Sequence, residues 1–304
     1  MNPSPTLSQL VDDYLEAYQG RDGSRHHRLA WWRARLGDRP AVSLTDDEIF
    51  HALEHLAQEP ARRYCGRDAE GRRIYRARPA KRSGATLNRY SVALSALYSW
   101  AVKRRRLPKG TENPCRGVER QREARGRVRF LTDEERTRLF EACRASKWKK
   151  LYCLVLLAFV TGARRGELMT LRWRDIAPER GVAYLAHTKN EERRVLPLTP
   201  AAIAELERFR GGDAALVFSS RLRPWVPFDF KCAWTIARNQ AKVKNFRFHD
   251  LRHCCASALA QSGASLLEIA DVLGHRQLAM TKRYSHLTVQ SKTRLVNRVL
   301  GEIR

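Results

Sequence analysis

LYCLVLLAFVTGARRGEL, residues 151–168, is the stretch whose reading decides how this chain folds. From Leu151 to Val160 the run is apolar throughout, with no charged residue to turn toward water. A helix that is apolar all round is a buried one, and this run is too short to span a bilayer. It therefore predicts a central core helix. Arg164 emerges where that helix ends, and the carboxylate of Glu167 is placed to fix the following loop through hydrogen bonds. Read alone, the same residues also suit an ordinary turn between two helices with surface arginines.

Working outward, Thr132 and Glu135 form a capping box that restarts helical structure upstream of the run. Downstream, Val182–His187 and Arg194–Leu198 flank the polar turn Thr188–Arg193, which predicts a β-hairpin. From Ala201 onward the pattern is mostly helical. The first part of the chain is helical by spacing. Leu7, Leu10, Val11, Tyr14, Leu15 and Tyr18 share a face, and Thr45–Glu48 caps a helix through Ile49, Leu53 and Leu56. A third helix starts near Thr86, carries Leu87, Tyr90, Leu94, Leu97, Tyr98 and Ala101, and stops at Lys103–Arg106.

Pro60–Gly84 is dense in arginine and glycine and reads as a loop, with a short hairpin around Arg72–Arg76. Lys81 and Arg82 within it, and Arg104 and Arg105 at the end of the third helix, are candidate DNA-phosphate contacts. Asn113-Pro114 and the polar run Arg116–Arg127 read as a linker. The fold class that follows is mainly α, in two domains. A helical domain over 1–112 and a linker over 113–129 precede a mostly helical domain over 130–304 with a small antiparallel sheet. No internal repeat is present.

The composition names a partner. The 58 lysines and arginines exceed the 32 aspartates and glutamates by a net +26. Residues 1–127 hold 26 basic and 15 acidic side chains, so the excess is spread over both parts and is not a detachable tail. Such a surface points to a polyanion, above all double-stranded DNA, although a generally cationic ribosomal or chromatin protein has the same signature. The seven cysteines form no Cys-x-x-Cys pair, which fits reduced thiols. With no signal peptide or membrane span evident, a cytoplasmic protein is expected.

Three further segments carry groups able to do chemistry. Lys189 stands at the hairpin turn, where lysines are ordinarily just solvated. His249-Asp250-Leu251-Arg252-His253 places His249 and Arg252 on one helix face. Its two histidines have zinc-pair spacing, but the glutamate of His-Glu-x-x-His is missing and no third ligand is near, so no metal is expected. Leu273-Gly274-His275, with Thr281 and Tyr284 after it, follows an amphipathic helix over Leu266–Leu273 and can pass for a DNA-reading helix-turn-helix.

Together these segments resemble, in order and wording, the signature of tyrosine recombinases and phage integrases. Thr161-Gly162-Ala163-Arg164-Arg165-Gly166-Glu167-Leu168 is similar to the family's first arginine box, and Lys189 matches its hairpin lysine. His249, Arg252 and His253 match its His-x-x-Arg-His box, while His275, Thr281 and Tyr284 match its Leu-Gly-His…Tyr segment. Leu171-Arg-Trp-Arg-Asp175 agrees as well. The resemblance is close over Leu131–Leu287 and loose over Thr6–Val102, where it implies a core-binding, SAM-like helical domain.

That resemblance implies a site-specific recombinase that cuts and rejoins DNA through a 3′-phosphotyrosine, with no metal, cofactor or ATP. Tyr284 is then the nucleophile, Arg164 and Arg252 hold the phosphate oxygens, and His249 and His275 add hydrogen bonds. His249 is expected to take the tyrosine proton and Lys189 to protonate the leaving 5′ oxygen. Glu167, His253 and Thr281 support the site. The family also implies a homo-tetramer on DNA, with Leu295, Val296, Val299 and Leu300 docking on a neighbour, and leaves room for a DNA-bending accessory protein. Integration or excision of a mobile element is the first expectation and Xer-like dimer resolution the second. A helix-turn-helix regulator and a type IB topoisomerase are the competing classes.

Overall fold

The computed structural model describes residues 4–68, 70–77, 80–124, 127, 129–185, 194–288, 293, 296–297 and 300. The chain divides into two compact units, Met1–Gly126 and Arg127–Arg304.

Unit 1 is built on α1 (Leu7–Glu16), α2 (Ser24–Leu36), α3 (Asp46–Gln58) and α4 (Gly84–Lys103). Capping boxes at Thr6/Gln9 and Thr45/Glu48 start α1 and α3 by satisfying otherwise orphaned backbone N–H groups. Leu7, Leu10, Leu29, Trp32, Ile49, Leu56, Leu94 and Leu97 form its core, and the buried Trp32 indole donates to the carbonyl of Tyr90 at 3.0 Å. α2 was not expected. Its sequence is polar, and only Leu29 and Trp32 are fully buried, so its apolar face is too thin to show as a periodicity.

Between α3 and α4 the arginine-rich stretch forms a true hairpin, β1 (Arg62–Arg67) against β2 (Arg73–Ala77), antiparallel and with an irregularity between Tyr64 and Gly66. Residues 113–121, inside the stretch read as a linker, lie along α4. Asn88 donates to the carbonyl of Gln121 at 2.9 Å and accepts from its N–H at 2.9 Å. Asn113 donates to the carbonyl of Ser95, and Cys115 is buried in the unit 1 core. Gly84 makes room for this segment, because a Cβ there would stand 2.5 Å from the carbonyl oxygen of Arg122.

Unit 2 is organised around α6 (Leu151–Thr161), nine of whose residues are buried. It packs against α5 (Asp133–Arg144), α8 (Pro200–Glu207) and α10 (Asp250–Ser262). α7 (Arg165–Met169) follows it directly, and then a three-stranded antiparallel sheet in the order β3 (Ile176–Ala177), β4 (Val182–Leu185) and β5 (Arg194–Pro197). β4 and β5 form the expected antiparallel pair, and residues 186–187 with the turn Thr188–Arg193 lie outside the described residues. β3, two residues long, is too short to announce itself. α9 (Lys231–Gln240), α11 (Leu266–Leu273), α12 (Leu278–Thr281) and a 3-10 segment, Lys282–Thr288, complete the unit. The fold is mainly helical, as the sequence predicts. Among the described residues no helix is long and apolar enough to cross a membrane.

If α6 is the central beam of unit 2, shortening one of its fully buried side chains opens a cavity with no easy collapse. Leu154→Ala is expected to cost about 3 kcal/mol, read from the urea midpoint of the purified chain. A loss below about 1 kcal/mol would show that the helix is not at the centre of the packing.

Candidate active site

α6 ends in a left-handed residue, Gly162, at φ +58°. A Cβ there would meet Leu273 Cδ2 at 2.4 Å, so only glycine fits. The freed Gly162 carbonyl is used: Arg252 Nη1 donates to it at 2.7 Å. Arg252 lies in the first turn of α10, whose N-cap is His249. Burial, helped by Arg164 and Arg194 nearby, pushes the Arg252 guanidinium down to about 10, still charged at neutral pH.

Arg164 stands immediately before α7 and is joined to Glu167 on that helix. Glu167 Oε1 accepts from Arg164 Nη1 at 2.8 Å, and Oε2 accepts from the Arg164 backbone N–H at 2.7 Å. The same Oε2 accepts from Arg194 Nη1 at 2.7 Å. Glu167 is thus one buried carboxylate between two guanidiniums. Arg164 Nη2 reaches on to the carbonyl of Gly274 at 3.3 Å, tying the first arginine box to the Leu-Gly-His turn.

Sequence reasoning passed over Arg194. It opens β5, its side chain is only 9% exposed, and Nη2 donates to the carbonyl of Val272 at the end of α11. Its Nε is buried without a hydrogen-bond partner among the described residues. Burial lowers its pKa, and the negative Glu167 opposes that shift. Gly274, at φ +64°, is needed here too, since a Cβ would stand 2.8 Å from the Arg194 Nε. The available signal was an arginine that opens a short strand directly after a polar turn.

The last group gathers on α10 and the 3-10 segment after α12. His275 Nδ1 is 2.7 Å from the hydroxyl of Thr281, a buried residue that fixes the ring. Tyr284 is 1% exposed and its hydroxyl lies 2.6 Å from His253 Nδ1. The expected partner was His249. The structure gives the phenol to His253 instead, because the 3-10 segment packs on α10 one turn beyond His249. The His249 ring stands edge-on to that of His253, 5.7 Å away.

Electrostatics sets the protonation states. Burial, then the surrounding cations, presses His275 down to about 4. Burial, then His249 and Arg283, presses His253 down to about 4. His249 is lowered for the same reasons, with Arg252 the main cation. Burial raises the Tyr284 phenol, while Arg283 and Arg252 pull it back. Arg283, the exposed neighbour of Tyr284, is a second residue that sequence reasoning missed. All three histidines are neutral near pH 7, so each can accept a proton on one ring nitrogen and donate from the other.

The structure thus brings Arg164, Glu167, Arg252, His249, His253, His275, Thr281 and Tyr284 together in unit 2, with Arg252 near enough to act on the charge of His249, His275 and Tyr284. Lys189 lies outside the described residues. In unit 1, Lys81, Arg104 and Arg105 are exposed, whereas Arg82 is taken up by Glu59, donating to it at 3.1 Å. Three guanidiniums against one carboxylate leave a positive site suited to a phosphate. No cluster of potential metal ligands occurs among the described residues.

Comparison with known proteins agrees with that chemistry. Residues 129–291 match the sequence pattern of the Phage integrase family. The shufflon-specific DNA recombinase of Escherichia coli is 31% identical over 293 residues, covering 94% of this chain and 71% of the relative. Two solved structures share the fold. The Tn1549 transposon integrase in complex with circular-intermediate DNA has a TM-score of 0.73 at 18% identity, covering 97% of this chain and 100% of the other. The lambda integrase tetramer bound to a Holliday junction has a TM-score of 0.66 at 21% identity, covering 93% and 78%. The match over more than half of the chain, with a relative similar along nearly all of it, shows that the chain belongs to the phage integrase family of tyrosine site-specific recombinases.

Proposed function

We propose that unit 2 cleaves one DNA strand by attack of the Tyr284 hydroxyl on a phosphodiester, forming a 3′-phosphotyrosine and a free 5′-hydroxyl. The observation that carries this reading is the Tyr284 hydroxyl held 2.6 Å from a neutral histidine, within the field of the buried Arg252. In the forward step the Tyr284 oxygen bonds to phosphorus and its proton passes to His253 Nδ1. The bond from phosphorus to the 5′ oxygen breaks, and Lys189 supplies the proton that oxygen needs. Rejoining is the reverse, with a 5′-hydroxyl of another strand as nucleophile, so the ester energy is kept and no external energy source enters.

The other residues act on charge and geometry. Arg164 and Arg252 hold the non-bridging oxygens, where negative charge grows during attack. With Nδ1 accepting from Thr281, the neutral His275 has its Nε2 proton free for the same oxygens. His249, at the head of α10, faces the same phosphate. Arg194 is a positioning residue: by sharing Glu167 it keeps that carboxylate from drawing Arg164 away from the phosphate.

The assembly reading draws on relatives. Lambda integrase binds a Holliday junction as a tetramer, and we carry four copies over to this chain. Val296 and Leu300, 53% and 52% exposed, suit a tail that docks on a neighbour, while Leu295 and Val299 lie outside the described residues. The substrate is DNA of a mobile element, rearranged in the cytoplasm, with room for a DNA-bending accessory protein. The similarity to phage integrases supports this reading, and Xer-like dimer resolution, supported by similarity to XerC recombinases, is the second.

Covalent trapping tests the reading. The chain is incubated in EDTA with fragmented genomic DNA and quenched in detergent. Protein–DNA adducts are expected for the wild type and none for Tyr284→Phe, with DNA affinity retained; adducts with Tyr284→Phe would disprove the nucleophile. The histidines set a pH signature. Because His253 and His275 sit at about 4, both stay in the neutral form that the reaction needs well below the ordinary histidine range. Single-turnover cleavage by DNA-saturated protein should hold from about pH 7.5 to about pH 5.5 and fall only toward pH 4. A decline centred near pH 6.5 would mean that an ordinary histidine controls the rate.

A charge-balance experiment addresses Arg194. Arg194→Gln should slow cleavage by about 10- to 100-fold at unchanged DNA affinity. Adding Glu167→Gln should recover part of that loss, because the carboxylate no longer competes for Arg164. Additive losses in the double variant would count against a shared carboxylate.

A further inference from the structure

The β1–β2 hairpin of unit 1 has no place in that unit's interior. Of its residues whose side chains are described, none belongs to the buried apolar cluster, and Ile74 and Tyr75 are 40% and 48% exposed. A two-stranded hairpin is marginally stable alone in water. This one also carries charge in an unfavourable order. Its register sets Arg63 opposite Arg76 and Arg67 opposite Arg73, with Tyr64 opposite Tyr75. Like charges placed directly across a strand pair destabilise it.

The acids present do not relieve this. Residues 62–77 contain six arginines and two acids, Asp68 and Glu70. Both acids stand at the tip and are engaged with Arg72, at 3.0 and 3.1 Å. The backbone register thus sets arginine opposite arginine, and the hairpin's two acids are engaged at its tip. The base is fastened down, since Arg82 just beyond β2 is paired with Glu59 at the end of α3. An anchored, arginine-loaded ribbon with exposed apolar side chains is built to be covered by a polyanion.

We propose that the β1–β2 hairpin is a DNA-reading ribbon that lies in the major groove of the duplex flanking the cleaved site. The inference rests on the reading of the chain as a DNA recombinase. The major groove is about 12 Å wide and admits a two-stranded β-ribbon. A six-residue strand is about 20 Å long, enough to follow the groove over several base pairs. Phosphates on both walls supply counter-charge to a hairpin with six arginines and two acids. Arg76 reaches a guanine edge or a phosphate, and Ile74 and Tyr75 give apolar contact to thymine methyls and sugars.

The test uses the full-length chain and DNA fragments recovered as covalent adducts, synthesised as a set in which each flanking pair in turn is G·C. Three proteins are compared: wild type, a variant with residues 62–77 replaced by Gly-Ser-Gly, and the double variant Tyr75→Ala/Arg76→Ala. Methylation of guanine N7, which lies in the major groove, reports occupancy. Wild type should protect flanking guanines outside the cleaved core, and both variants should lose that protection. Affinity should fall tenfold or more, with a shallower salt slope by about one for each phosphate no longer neutralised, while saturating variant still forms adducts. Adducts from the variants keep the recombinase reading intact whatever the hairpin does; if wild type forms none, it is that reading which fails. Unchanged N7 protection in the variants, or weaker binding without any change in protection, overturns the proposal in favour of a solvated hairpin or one resting outside the groove. Should the excision variant not fold, the double variant carries the same comparison.

Discussion

A single carboxylate between two guanidiniums holds the site of unit 2 together. Glu167 accepts from Arg164 and Arg194 with both of its oxygens, and those arginines come from different parts of the chain. Arg164 follows the core helix, whereas Arg194 opens β5, the second strand of the β4–β5 pair. Each continues outward, Arg164 to the carbonyl of Gly274 and Arg194 to that of Val272. Three separate elements are thereby pinned to one buried negative charge. Removing it would leave the largely covered Arg194 beside a second cation with no counter-charge between them, a costly arrangement inside a protein. Keeping it leaves the site positive, which is the condition a phosphate needs.

The core helix supplies the second fixed point. α6 carries no chemistry itself, but its left-handed end at Gly162 turns a carbonyl toward α10, and Arg252 docks there. The two arginines proposed to hold the phosphate are thus set by the same helix terminus, one through the chain that follows and the other through a hydrogen bond. Packing in the core is converted into geometry at the surface by one residue that tolerates positive φ.

Much of this was legible in the sequence, and the limits follow the range of each signal. The apolar run of α6, the capping boxes at Thr45 and Thr132 and the β4–β5 pair are local patterns, and all of them stand. α2 was missed because its buried face is little more than Leu29 and Trp32. The attachment of residues 113–121 to α4 depends on Asn88 meeting Gln121, 33 positions away, and polar residues in sequence give no hint of it. Arg194 escaped notice for the same reason, its carboxylate lying 27 positions upstream. The pairing of Tyr284 with His253 rather than His249 turns on one helical turn of register between packed elements, which wording alone does not carry.

Tyr284 ends up almost wholly covered, its hydroxyl engaged by His253. On the mechanism proposed for it, a phenol enclosed in this way is shielded from water and from stray phosphates until DNA fills the site. A close fit of duplex to protein then matters as much as the reacting atoms themselves.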